Sequence, residues 1–250
     1  MSGVKKVFQL GENGMDMEGN ILRGDEVEID DKDWYNTGKN YWQVVADKGN
    51  SNIDGMLGGQ THVHDSDITE SLQFLKNLNV TNFNYVLDCG AGVGRVSQHL
   101  LAPIFKNIDI LDINKDFLDV AQINLSTLPS KPLRNTLCQG LQDFKATQQI
   151  YDVIWVQWAS CYLTDVDFIT FMNECYNAMT PGSTIVFKEN VASKKGGDFV
   201  IDKEDCSINR SVQHYHTLFT QCSDKFQFIT EKEQLWQGLL PVMMFALRRK

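Results

Sequence analysis

The run Asp88-Cys89-Gly90-Ala91-Gly92-Val93-Gly94-Arg95, directly after the apolar Tyr85-Val86-Leu87, holds the residues best suited to cradle a ligand. Glycine lets a backbone pass close beneath a bulky group where any Cβ would collide, and the helix that follows offers free N–H groups at its start. The spacing argues against one ligand class. A dinucleotide fingerprint reads G-x-G-x-x-G, whereas Gly90, Gly92 and Gly94 alternate and Arg95 stands where the third glycine would fall. A second candidate, Asp112, ends the apolar run Ile108-Asp109-Ile110-Leu111. In doubly wound folds an acid at the tip of the second strand can accept both hydroxyls of a ribose; the plainer role for such an acid is to cap the next helix. Ile113 is placed to flank an adenine ring.

These residues need a strand–turn–helix frame, and the chain supplies it repeatedly after Tyr85. A helix carrying Val96, Leu100 and Leu101 on one face follows the glycines, and Pro103 marks its end or a kink. Phe117, Ala121 and Leu125 repeat every fourth residue in the next. Thr136–Cys138 reads as a third strand, and Tyr151–Trp158 as a fourth, its apolar run implying burial on both faces. Thr164 and Asp167 open a helix with a capping-box-like pattern, whose face is Phe168, Phe171, Met172, Cys175 and Met179. Thr180-Pro181-Gly182 ends it, and Ser183–Glu189 is a fifth strand. The last two strands, near Phe226–Glu231 and Val242–Arg248, lie too close for a helical crossover and predict an antiparallel hairpin. The expected fold is therefore α/β: a Rossmann-like, seven-stranded, doubly wound sheet with an antiparallel last strand, plus an N-terminal helical cover.

Upstream, Asp54–Gly59 is a glycine-rich turn, and Asp65 or Asp67 caps a helix bearing Ile68, Leu72, Phe74, Leu75 and Leu78. Residues 1–33, dense in acids from Asp25 to Asp33, are expected to form a flexible extension. Residues 34–250 then make a single domain, with 34–80 as a substrate-side cover.

At 250 residues and 42% apolar content the chain can bury one core of normal size. No stretch approaches the ~18 to 20 apolar residues of a membrane span, and Met-Ser-Gly-Val-Lys-Lys at the start lacks the apolar run of a secretory signal. Six scattered cysteines without a C-x-x-C pair suit reduced thiols inside the cell. The expected setting is cytoplasmic, with the nucleus left open, and the expected state a monomer without membrane. A net charge of −9 argues against nucleic acid and leans toward a cationic partner. His62-x-His64 beside Asp65 has no ligand cluster to complete it, so no metal is expected, and His214 and His216 read as helix-surface or packing residues.

A strand ending in acid-x-G-x-G-x-G resembles the first motif of class I S-adenosylmethionine (AdoMet) methyltransferases. Further segments occur in order: Tyr41-Trp42, Gly55–Gly59, Gly140–Phe144, Ile154–Trp158, Leu163-Thr164-Asp165, Lys188-Glu189-Asn190 and Asp202–Arg210. Together they closely resemble the protein α-N-terminal methyltransferases, which methylate the α-amine of proteins that begin X-Pro-Lys or X-Pro-Arg. The likeness runs from about Tyr41 to Arg248. It implies AdoMet as cofactor, S-adenosylhomocysteine as product, and basic X-Pro-Lys/Arg N-termini as substrates.

The family's cofactor residues fall on Gly90, Arg95, Asp112, Leu141, Gln142 and Gln157, with Gly92 and Ile113 beside them. A guanidinium can clamp a carboxylate in bidentate fashion, so Arg95 suits the methionine end; its plainer role is a surface salt bridge. Gln142 can serve the adenine edge or simply cap a helix. The substrate side falls on Tyr41, Trp42, Trp158, Asn190, Asp202, Asp205 and Ser207. Aromatic walls suit a proline ring and cations. Asp202 and Asp205 can hold a substrate cation, or else cap the helix before Ser211–Phe219.

Three departures bear on the chemistry. Where the family's best-known members have a histidine before Leu-Thr-Asp, assigned as proton acceptor, this chain has Tyr162, with an unperturbed pKa near ~10. Glu189 replaces the homologous acid before Asn190, and Leu239-Leu240-Pro241 stands where a tyrosine is usual. With an α-amine pKa of about 8 a weak base suffices, so Asp205 is the leading candidate to receive or relay the amine's proton, with Tyr162 orienting the amine and Asn190 holding the substrate backbone. Two other readings stay open: a small-molecule methyltransferase on the same fold, or an AdoMet-binding interaction module that lost catalysis with the histidine.

Overall fold

The computed structural model describes residues 4–8, 13–193 and 197–250. Four short strands come first: β1 (Val4–Lys6), β2 (Asn13–Asp16), β3 (Ile21–Arg23) and β4 (Glu28–Asp30). Helices α1 (Asp31–Asp47), α2 (Ile53–Met56) and α3 (His64–Lys76) follow. Then come β5 (Tyr85–Cys89), β6 (Asn107–Asp112), α4 (Lys115–Ser126), β7 (Leu133–Cys138) and β8 (Tyr151–Gln157). The chain ends with α5 (Asp165–Ala178), β9 (Met179–Asn190), β10 (Phe199–Asp202), β11 (Ser207–Arg210), α6 (Val212–Gln221), β12 (Phe226–Gln234) and β13 (Val242–Arg249).

The main sheet has the order β12-β13-β9-β8-β5-β6-β7, and β13 runs antiparallel to both its neighbours. This is the expected seven-stranded sheet, and its winding reverses between β5 and β8, where doubly wound folds bind their ligands. Every residue of β8 is buried, in keeping with its apolar run Val153–Val156. One face of the sheet packs Phe168, Phe171, Tyr215 and Phe219 from α5 and α6. The other packs Phe74, Leu75, Leu118 and Ala121 from α3 and α4. Among the described residues, no helix is long and apolar enough to cross a membrane.

Several local expectations need correction. The segment expected to hang free is, over its described residues, paired and packed: β1 pairs with β4, and β2 with β3 and β10. Phe8 stacks on Phe199 with ring centroids 3.9 Å apart, so a few apolar residues anchor an otherwise polar stretch. The helix after the glycines is a π-turn at Ser97–Leu101, with the Ala102 N–H donating to the Ser97 carbonyl at 2.8 Å. Pro103, which lacks an N–H, cannot extend it. Neither Asp65 nor Asp67 caps α3, whose N-cap is Val63 with no side-chain bond. Thr164 does cap α5, accepting from the Asp167 N–H. Met179 opens β9 rather than closing the α5 face.

Candidate active site

A cavity of about 540 Å³ opens over the carboxyl ends of β5, β6 and β8, a size usual for a small-molecule site. Its floor is the glycine turn. Gly90 and Gly92 have φ of +74° and +53°, and a Cβ on Gly90 would lie 2.3 Å from the Ala159 Cβ. Asp88, the acid of that motif, does not face the ligand. It is buried, accepts a 2.6 Å hydrogen bond from the Ser97 hydroxyl, and is raised to about 6 by burial. It therefore ties the glycine turn to the π-turn.

Asp112 closes the turn from the next strand. Its Oδ2 accepts the Gly92 N–H and its Oδ1 the Asn114 N–H, both at 2.8 Å. A carboxylate has about four acceptor sites, so Asp112 can hold this turn and still receive two hydroxyls. Asn114, not Asp112, caps α4. Ile113, Leu141 and Gln142 line the same end of the cavity, and the Gln142 amide donates to its neighbour Asp143. Gln157 also lines it, but its amide is taken up by protein partners: Nε2 donates to both oxygens of Asp67, and Oε1 accepts from the Trp155 indole. Arg95 is buried rather than on the surface, its Nη1 2.8 Å from Asp67 Oδ2 and its guanidinium 5.3 Å from the Trp158 ring centroid.

The opposite end carries the substrate candidates. Asp202 and Asp205 cap no helix; Ser211 caps α6. They lie in the β10–β11 hairpin, whose turn places Cys206 at φ +58°. Asp205 Oδ1 accepts the Ser207 N–H at 2.9 Å, and Oδ2 accepts the Tyr162 hydroxyl at 3.3 Å. That hydroxyl in turn accepts the Trp42 indole N–H at 2.9 Å. Burial, with Asp202 adding like charge, holds the Asp205 carboxyl above its ordinary range. Burial drives the Tyr162 phenol well above its ordinary value, so it donates a hydrogen bond but does not take up protons as a phenolate. Trp158, Asn190, Asp202 and Ser207 line the cavity as expected. Tyr41 stands outside the lining, braced edge-on against Trp42 with centroids 5.5 Å apart.

Sequence reasoning did not find the roles of three residues here. Asp67 is wholly buried, although it was expected to cap a helix. Its place in the pattern Asp67, Ser71, Phe74, Leu78 puts it on the inward face of α3, and that was a legible signal. Lys188, equally buried, directly follows the apolar run Ile185-Val186-Phe187. Glu189 accepts from the Ala159 N–H, the Ser160 N–H and the Ser160 hydroxyl through Oε1, while Oε2 has no partner. It pins the loop in which Trp158 adopts φ +52°, a conformation non-glycine residues seldom hold unaided.

Burial raises Glu189 from 4.5 to about 7. The folded chain then holds a proton the unfolded chain has released, so this group lowers stability as pH climbs from about 4.5 to about 7. Glu189→Gln keeps an acceptor for the loop and removes that pH dependence. Its melting temperature should gain on wild type between pH 5 and pH 8, by on the order of 5 °C. Parallel melting curves across that range would show that the carboxyl is not perturbed.

A glycine cradle that admits no Cβ, an acid with free acceptor sites at the second strand and a buried guanidinium fit the nucleoside and amino-acid ends of AdoMet. Fold and cavity define a class I AdoMet-dependent methyltransferase. The comparisons narrow this. A family described as AdoMet-dependent proline di-methyltransferases matches residues 30–248. Alpha N-terminal protein methyltransferase 1 of Dictyostelium discoideum is 37% identical over 257 residues, spanning 95% of this chain and 92% of its own length. Human N-terminal Xaa-Pro-Lys N-methyltransferase 1 is 36% identical over 230 residues, spanning 89% and 99%. A solved SAM-dependent methyltransferase from Leishmania major superposes with a TM-score of 0.85 at 33% identity, covering 96% of this chain and 97% of that one. The chain belongs to this family of AdoMet-dependent proline di-methyltransferases, and AdoMet is its cofactor.

Proposed function

We propose that the protein methylates the α-amine of protein N-termini that begin X-Pro-Lys or X-Pro-Arg. The observation that carries this reading is the substrate end of the cavity, where Trp42 and Trp158 stand with Asp202, Asp205 and Asn190. The names of the relatives support it. When bound, AdoMet would supply a sulfonium-activated methyl group: the lone pair of the neutral amine would bond to the methyl carbon as the C–S bond breaks in line, with S-adenosylhomocysteine as the leaving group.

The chain's own residues do the rest. Gly90, Gly92, Asp112 and Arg95 hold the cofactor; Ile113, Leu141 and Gln142 flank its base. Trp42 and Trp158 wall a proline ring, and Leu239 and Leu240, which also line the cavity, add apolar surface where the family has a tyrosine. Asp202 and Ser207 receive the basic third residue, and Asn190 holds the substrate backbone. An α-amine has a pKa of about 8, so a weak base suffices. Asp205 accepts the proton, and the Tyr162 hydroxyl keeps that carboxylate oriented.

Mass spectrometry of X-Pro-Lys peptides incubated with enzyme and AdoMet tests the reading. Methylated product is expected from the free peptide and none from its N-acetylated form. Changing the third residue from Lys to Glu should nearly abolish it. Equal labelling of the acetylated peptide would move the acceptor to a side chain, and binding without turnover would leave only an AdoMet-dependent interaction module.

A further inference from the structure

Behind the methionine end of the cofactor site lie two charges that the cavity itself does not reach. Arg95 lines the cavity, whereas Asp67 and Lys188 are wholly buried behind it. One carboxylate joins the two cations: Asp67 Oδ2 is 2.8 Å from Arg95 Nη1, and Oδ1 is 2.5 Å from Lys188 Nζ. Lys188 also donates to the Asp67 carbonyl and to the Ser71 hydroxyl, at 3.2 and 2.8 Å. The Gln157 amide fills the remaining space beside the carboxylate.

Burying three charges is expensive, and well-packed apolar residues are often at least as stable in their place. The arrangement makes sense if Arg95 must be both fixed and left attractive to an anion. Asp67 fixes it but also cancels its charge. Asp88, buried within electrostatic reach of Arg95, cancels it further. An Arg95–Asp67 pair alone would then offer a carboxylate donors with no net attraction.

We propose that Lys188 is a positioning residue for cofactor binding: through Asp67 it restores the positive potential that Arg95 needs to bind the methionine carboxylate. Lys188 touches no ligand. It acts by occupying the second oxygen of the acid that would otherwise neutralise the guanidinium. The inference rests on the AdoMet site alone, not on the peptide substrate.

The test is calorimetry with two ligands, S-adenosylhomocysteine and 5′-methylthioadenosine. The second keeps the nucleoside and thioether but lacks the amino-acid carboxylate. Lys188→Met should weaken S-adenosylhomocysteine by about tenfold or more, the order expected for losing a unit charge near the ligand at an effective dielectric of ~20. It should leave methylthioadenosine within about twofold. Adding Asp67→Asn to Lys188→Met removes the uncompensated acid and should return S-adenosylhomocysteine affinity most of the way to wild type. Should Lys188→Met fail to fold, Asp67→Asn alone gives the converse reading: the ratio of the two affinities should hold or rise in favour of S-adenosylhomocysteine. The proposal is overturned if Lys188→Met weakens both ligands alike or neither, if the second substitution gives no rescue, or if Asp67→Asn lowers the ratio. Loss of methylthioadenosine binding in wild type would instead remove the nucleoside site itself.

Discussion

Asp205→Asn is expected to lower kcat by about 10²–10⁴-fold, the range typical of a lost acid–base group, while S-adenosylhomocysteine should bind as it does to wild type. The substitution keeps the shape of the side chain and its bond from the Ser207 N–H, so only charge and basicity are lost. Basicity matters because burial and Asp202 already raise this carboxyl toward the range of the amine it serves. Tyr162→Phe should be milder: although the Trp42 indole also loses its acceptor, a buried neutral phenol gives Asp205 one hydrogen bond and no charge. That bond lowers the Asp205 pKa, so its removal should move the acidic limb of the kcat/KM profile to higher pH. Tyr162→His introduces a group that titrates near neutrality and should preserve turnover. A normal Asp205→Asn beside a dead Tyr162→Phe would reverse the two roles and make the tyrosine the centre of proton handling.

Asp112→Ala should weaken S-adenosylhomocysteine by about 10²-fold or more, because two hydrogen bonds to a charged acceptor contribute ~1.5–3 kcal/mol each. The loss has two sources. The ribose hydroxyls lose their acceptor, and the Gly92 and Asn114 N–H groups that Asp112 receives are released, loosening the floor of the site. Calorimetry separates this from general damage, because α4 keeps its own cap on Asn114 and the melting temperature should fall only modestly. Unchanged S-adenosylhomocysteine affinity, or tight binding of NADH by the wild-type protein, would remove the ribose role.

The parts of this molecule that were legible in its sequence are those fixed by local pattern. The alternating glycines after a strand form the turn their spacing suggests, with Gly90 and Gly92 at positive φ, and the apolar run Val153–Val156 lies inside the sheet. Side chains whose partners are distant were not legible. Asp67 looks like a helix cap until α3 is laid against β9, when Lys188 arrives from more than a hundred residues away. Asp202 and Asp205 look like caps until β10 and β11 are seen to pair, which leaves them on a turn facing the cavity. The acidic stretch before Asp31 was misread because its composition is that of a solvated tail; it is held by a few apolar contacts and by strand pairing.

That pairing ties the stretch before Asp31 to the cavity. The family match begins at residue 30, yet β2 lies parallel to β10, and Met17, just after β2, contributes to the cavity wall. The Asn13 N–H reaches the Asp198 carboxylate across 185 positions of chain. Pairing of segments so remote in sequence closes a long loop, at an entropy cost that grows only with the logarithm of its length. The two ends of the cavity are thus built differently, the cofactor floor from neighbouring strand–turn–helix units and part of the substrate wall from two strands that lie far apart in the chain.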